Sequence, residues 1–525
     1  MQDLNILDGA ILLVYLAGVL WVGVWMGRRN KNEVDYFLAG RRLPWYVICL
    51  SMFSTNISSN HFIGFNGLAY THGLAMASFE WFTVLGTLAL AFIFLPYYRR
   101  AEVVTLPEFL ERRYDQRTRL LLSAAVILLY VFMELSSLVY TGALALNTVL
   151  GVDFMWSVAF IIIFAGVYTT YGGFSSVAWV DTLQAIVLYA GGGIVAAFAL
   201  VKVGGLGTLM AEAPEKFHTV LPANHPVFPW PGIFLTGLPL LAVWAWAANQ
   251  VIVQRALAAR SDWDARMGTL SVGALKLLGP FFMCVPGIAA FYLYPGLETP
   301  DAAFPTLVAN LIPSGLTGLV LAGLIAALLS TSAALLSSCS TLFTHDFYAR
   351  FFEPNASPRR LVLVGRVTTV VIMVIALVWA PVLRNQVSIV LYAINLLGFV
   401  ASPFVAVFLA GIFSKRTTPT AAFATILASL PVSLAMNVFY PEMSYLYRIP
   451  LVFAFSLAML GVLSAFTRPK PLTAIEDLLW RSSEVFRSDR HLRGSETGRL
   501  PFYMDYRVVA VVVTLATAMM FYIFR

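Results

Sequence analysis

An all-helical protein that crosses a membrane about fourteen times is what the sequence predicts, and three observations predict it. The 525 residues are 59% hydrophobic and only 12% charged, a balance that cannot keep a water-exposed fold of this length in solution. Apolar runs repeatedly reach the roughly 20 residues needed to cross a hydrocarbon core. Basic residues gather in alternate connections, the pattern produced when cytoplasmic loops retain positive charge.

Taken in order, the runs fall near 6–27, 44–70, 76–97, 118–149, 154–171, 179–202, 232–254, 268–294, 315–343, 362–382, 387–413, 419–438, 447–467 and 506–524. The first is too long for a cleavable leader and is followed directly by Arg28, Arg29 and Lys31, so it is expected to stay as a helix. Most of the 34 lysines and arginines lie in loops 28–42, 98–119, 255–266, 350–366, 415–416 and 468–507. The opposite loops hold Lys202, Lys216, Arg384, Arg448 and Arg525, which places the N-terminus outside. Those outer loops lack an Asn-x-Ser/Thr acceptor, which points to a bacterial inner membrane.

Several function classes drop out. The net charge of +7 arises in membrane-flanking loops and calls for no nucleic acid as partner. Cys49, Cys284 and Cys339 all sit within apolar runs, so neither a disulfide framework nor a zinc site is expected. The sequence contains no phosphate loop and no nucleophile with a base at catalytic spacing, so an enzyme is not expected, nor any cofactor. A sensor would carry an output domain, and none follows the bundle. The polar stretch 468–505 reads as a cytoplasmic linker with a short surface helix, before a last helix at 506–525.

Two segments break the apolar pattern. Ser54-Thr55-Asn56-Ile57-Ser58-Ser59-Asn60-His61 sets hydroxyls, amides and a histidine in the middle of the second run, where a lipid-facing helix would not tolerate them. Trp244-Ala245-Trp246-Ala247-Ala248-Asn249-Gln250 is a weaker counterpart in the seventh. Paired interruptions of this kind mark a transporter built from inverted repeats with its site near the bilayer midplane. The repeats would span 44–202 and 232–414, preceded by one helix in 1–30 and followed by two accessory helices in 419–467.

Ionisable side chains inside apolar runs cost about 2.5 to 3.5 kcal/mol each on insertion scales, so they face a cavity or a partner. His61, Glu80, Glu134 and Lys276 stand out. One reading pairs Glu80 or Glu134 with Lys276 to lock helices; the other has the four grip a polar, hydroxyl-rich solute. Ser330-Thr331-Ser332 offers adjacent hydroxyls that either bond back to their own helix or complete an oxygen shell for sodium. Asp181, in the stretch from Tyr171 to Gln184, either opens the next helix as a cap or serves as a polar waypoint on an ion exit path.

These residues carry a resemblance. The chain is similar, over about 30–440, to the sodium/solute symporter family, and within it to the sodium/glucose and sodium/galactose cotransporters. Its most specific stretches are Asp35 to Arg41, Asn56-Ile57-Ser58, Phe79-Glu80-Trp81, Tyr171 to Gln184, Gln254 to Arg260 and Pro286 to Ala290. The resemblance implies a leucine-transporter-type five-plus-five inverted repeat working by alternating access, with sodium as coupling ion. It implies sodium ligation by Ser54, Ile57 and Ala327 carbonyls and by Ser330 and Thr331 hydroxyls. It implies solute binding by Asn56, His61, Glu80, Thr83, Glu134, Lys276 and Asn395, and outer gating by Phe65, Phe79 and Leu391.

Departures from the family pattern bear on the solute. The inner gate tyrosine is replaced by Ala245, between Trp244 and Trp246, so that a tryptophan such as Trp246 takes over the stacking, or the solute is larger than a monosaccharide, or it is no simple hexose. Glu134 is an unexpected acid that can accept a hydroxyl, balance Lys276 or receive an amino group, and Asn395 is one methylene shorter than the family's glutamine. Where relatives with a second sodium place hydroxyls, this chain has Ala333 and Ala334, which implies one sodium per solute. A sugar is the expected solute, with an amino sugar, polyol or organic acid as the alternative.

Overall fold

The computed structural model describes residues 5–385, 389–485 and 501–525, without the side chains of 148–149 and 384–399. Among the described residues the chain forms helices and connections, with no strand, and eleven helices are long and apolar enough to cross a bilayer. Two of the eleven each take in parts of two neighbouring runs, and the run at 387–413 is described too incompletely to be counted among them. His61–Arg100 and Phe154–Val203 hold 40 and 50 residues, about 60 and 75 Å if straight, twice or more the thickness of a hydrocarbon core. Each is broken at a glycine in the left-handed region, Gly73 at φ 66° and Gly173 at φ 57°. At Gly173 a Cβ would stand 2.5 Å from the Tyr36 carbonyl oxygen, so the break admits no side chain. The run at 387–413 is the helix Ile389–Phe413, of which Val400–Phe413 is described in full.

Helices Phe154–Val203 and Thr317–Phe352 cross at the centre of the bundle, where Gly191 and Gly323 meet. A Cβ on either would touch the other's Cα at 3.2 Å, the close approach that small residues permit where helices have no hydrophobic drive to associate. The first helix, Ile6–Gly27, is anchored to this pair by Asp8. Its buried carboxylate accepts from the Gly315 and Gly318 amides at 3.0 and 2.6 Å, satisfying free donors at the start of Thr317–Leu342.

Both sequence interruptions are breaks in helices. Trp45–Asn56 stops at Ile57, which is extended at φ −96°, ψ 116°. Gly237–Ala247 stops at Ala248, and Asn249, at φ −102°, ψ 120°, restarts the chain by accepting the Val251 amide at 3.0 Å and opening Gln250–Leu257. Two wide π-helical turns, His61–Phe65 and Tyr130–Leu135, rotate the side chains that follow them, and such turns concentrate at functional sites.

One expectation changes. Asp181 does not open a helix: the helix runs through it from Gly173, and its carboxylate is wholly buried in an ion pair, so capping is excluded. The start of the 468–505 segment carries two single-turn helices, Leu472–Ile475 and Ser482–Val485, and is docked on the bundle. The Arg481 amide donates to the Tyr97 hydroxyl at 2.6 Å, Arg266 donates to the Glu484 carbonyl at 3.0 Å, and Arg100 holds the buried Glu484 carboxylate.

Candidate functional site

A cavity of about 280 Å³ lies between the two broken helices, the Glu80 and Glu134 helices and Thr331. Part of its lining is polar: Asn56, Asn60, His61, Glu80, Thr83, Glu134 and Ser137. Another part is apolar, built from Leu238, Leu241, Ala242, Ala245, Trp246 and Ile252. Trp246 is seated by close helix packing, since at Gly86 a Cβ would meet the Ala242 carbonyl at 2.4 Å and Trp246 carbons at 2.7 Å. Phe65 and Phe79 also border the cavity, and Phe79 packs edge-on against Phe228 at 6.2 Å between ring centroids.

Of the expected solute residues, Asn56, His61, Glu80, Thr83, Glu134 and Trp246 line this space together. Lys276 does not. It is fully buried behind Glu80, to which its ammonium donates at 3.0 and 2.8 Å, so its role as a direct solute donor is corrected to that of a partner for Glu80. Gly279, one turn away, leaves room for that carboxylate: a Cβ there would be 2.8 Å from Oε2. The Ser58 amide donates to His61 Nδ1 at 3.1 Å, which leaves the proton on Nε2, 3.5 Å from Glu80 Oε1. Glu134 makes no ion pair among the described residues, so it does not balance Lys276. The side chains of Leu391 and Asn395 lie outside the described residues.

Next to the cavity, the five expected sodium residues come close together. The Thr331 hydroxyl donates to the carbonyls of Thr55 at 2.9 Å and Ile57 at 3.3 Å, which lie on the broken helix. The Ile57 amide reaches the Ser54 carbonyl only at 3.3 Å, and the Ser54 hydroxyl is buried with no partner. Ala327 stands one turn before Thr331 on the same helix. Ser330 turns the other way and donates to Asp181 Oδ1 at 2.6 Å. Asp181 Oδ2 accepts from Ser51 at 2.7 Å, Thr55 at 3.1 Å and Arg255 at 2.8 Å, all fully or nearly fully buried. Asp181 is therefore bonded directly to Ser330, one of the residues expected to hold sodium.

Sequence reasoning gave no individual role to four participants. Asn60 and Ser137 line the cavity, and the Asn60 carbonyl oxygen is buried without a partner. Asn249 holds the second break and accepts the Tyr130 hydroxyl at 2.5 Å. Arg255 was visible only as part of a motif, yet a lone arginine ending an apolar run directly after a polar break is a signal that it serves the interior.

Two broken helices that meet at a mid-bundle cavity, with the Thr331 hydroxyl of a third helix resting on carbonyls at the break, define a secondary transporter of the leucine-transporter type. The chain belongs to the Sodium:solute symporter family, whose profile matches residues 36–428, and is thus a sodium-coupled, multi-pass plasma-membrane protein. It is 33% identical over 497 residues to a sodium/glucose cotransporter of Vibrio parahaemolyticus, covering 89% of this chain and 91% of that one. It is 32% identical over 544 residues to sodium/glucose cotransporter 4 of Mus musculus, covering 93% and 79%. Its fold is similar to that of a Na+-coupled sialic acid symporter solved in a substrate-bound outward-open state. That likeness has a TM-score of 0.81 at 24% identity, covering 89% of this chain and 99% of that one.

Proposed function

We propose that the protein carries a sugar across the membrane together with one sodium ion, by alternating access. The observation that carries this reading is the placement of Thr331. Its side chain lines the solute cavity while its hydroxyl bonds the Thr55 and Ile57 carbonyls, so ion and solute share one residue and neither binds without affecting the other. The cavity's mixed lining suits a pyranose, whose C–H face packs on Trp246 while its hydroxyls meet carboxylates and amides of the polar part. The sodium/glucose cotransporters among its relatives support the same solute class.

In this reading Ser54, Ile57, Ala327, Ser330 and Thr331 hold the ion and Asp181 draws it inward; Phe65, Phe79 and Leu391 close the outer side. Ala333 and Ala334, both buried, offer no hydroxyl for a second ion. Fourteen crossings, an outside N-terminus and repeats at 44–202 and 232–414 complete it. The test is uptake into sealed vesicles under an inward sodium gradient, with a panel of labelled hexoses and disaccharides. Accumulation that collapses when sodium is replaced by potassium is expected; sodium-driven uptake that no sugar displaces would count against the solute class.

A further inference from the structure

The cavity holds one carboxylate too many for a neutral solute. Glu80 is neutralised in place by Lys276, whose ammonium meets both carboxylate oxygens. Glu134 lines the same space with no arginine, lysine or histidine in ion-pair contact among the described residues. The unpartnered Asn60 oxygen adds a second acceptor. His61 contributes no compensating charge, because its Nδ1 accepts the Ser58 amide and its Nε2 proton faces Glu80. No lysine or arginine lines the cavity among the described residues, so an ionised Glu134 meets no positive charge from the lining.

An uncompensated carboxylate in a water-poor site is costly unless a cation or several donors meet it. A neutral hexose brings hydroxyls that both donate and accept, and satisfies the excess only in part. An amino group in its ammonium form brings three donors and the missing charge, and hydrogen bonds to charged groups are about twice as strong as neutral ones. We propose that the preferred solute is a hexose-sized sugar bearing a free, protonated amine, and that Glu134 is the residue that receives the amine. The inference rests on the sugar-symport reading and names the solute class within it. A carboxylate supplies the charge that an ammonium needs, which an amide at the same place would not.

The test uses the full chain in sealed vesicles with an inward sodium gradient and three labelled probes: glucose, glucosamine and N-acetylglucosamine. N-acetylation keeps the ring and removes the charge. The expected result is sodium-driven glucosamine uptake, with the other two at least about tenfold weaker as competitors. Glu134→Gln should shrink the glucosamine-to-glucose ratio by about tenfold or more, and Glu134→Asp, which retains the charge, should recover part of it. Glucose uptake equal to or better than glucosamine overturns the inference and leaves sugar symport standing. An unchanged ratio in Glu134→Gln overturns the assignment to this residue. If none of the three accumulates with sodium while another sugar does, the amine is rejected; if no sugar accumulates at all, the parent reading has failed. The wild-type competition needs no variant, so poor folding of Glu134→Gln cannot shield the proposal.

Discussion

Ser330 donates its hydroxyl to Asp181 Oδ1 at 2.6 Å, while the other oxygen of that carboxylate binds Arg255 at 2.8 Å. The serine proton is thereby committed to Asp181, and its oxygen keeps its lone pairs as an acceptor. A hydroxyl already oriented in this way needs no reorganisation to meet a cation.

Ser330→Ala removes that oxygen and also leaves Asp181 one donor short. The sodium concentration for half-maximal uptake should rise by roughly tenfold, the equivalent of about 1.4 kcal/mol, measured by titrating sodium at fixed solute. An unchanged sodium dependence would remove Ser330 from the ion site.

The Arg255 and Asp181 charges are both fully buried, so breaking the pair should cost more than deleting it. Arg255→Met should lower stability by about 3 to 5 kcal/mol, because an isolated carboxylate remains, whereas Arg255→Met with Asp181→Leu should recover much of the loss. Thermal unfolding of the detergent-solubilised protein reads both. Equal losses in the single and the double variant would mean that the pair matters for packing alone.

Ala245 leaves a space on the cavity wall beside Trp246. Ala245→Tyr fills it, and should cut disaccharide uptake far more than uptake of a monosaccharide, seen as a selective rise in the KM for the larger sugar. A uniform loss across both sizes would show that the vacancy does not set solute size.

His225, in the connection before the helix Trp230–Phe234, accepts the Val227 and Phe228 amides on Nδ1 at 3.2 and 2.9 Å. Burial holds its pKa below the ordinary histidine value. The folded loop therefore favours the neutral ring: its contribution is present above about pH 6.5 and is lost as pH falls through the lowered pKa. Since Phe228 packs against Phe79, uptake should fall when the outside is acidified below about pH 6. His225→Asn, which keeps an acceptor but does not titrate, should flatten that fall.

The sequence was informative where a residue violated its surroundings. Polar residues at 54–61 and 244–250 could not be lipid-facing, and both became breaks in helices. Glu80 and Lys276 were legible as costly charges, with their pairing one of two readings; which carboxylate takes the lysine stayed open because 196 positions separate the two and pairing is a property of the folded bundle. For the same reason Lys276 was expected on the cavity wall and stands behind it. Ser137 went unread, and Asn60 was read only as part of the polar break, because lone hydroxyls and amides in membrane helices ordinarily bond to their own backbone.

Thr331 has one hydroxyl proton, and it is spent on the Thr55 and Ile57 carbonyls. A cation that settles on those carbonyls must first turn that proton away, after which the same oxygen faces the ion with its lone pairs. Arrival of the ion is then a reversal of polarity at one atom: a helix-to-helix stitch is exchanged for a helix–ion–helix stitch across the same gap. The empty and loaded bundles can share nearly one backbone, and the energy that distinguishes them resides in charge rather than in distance.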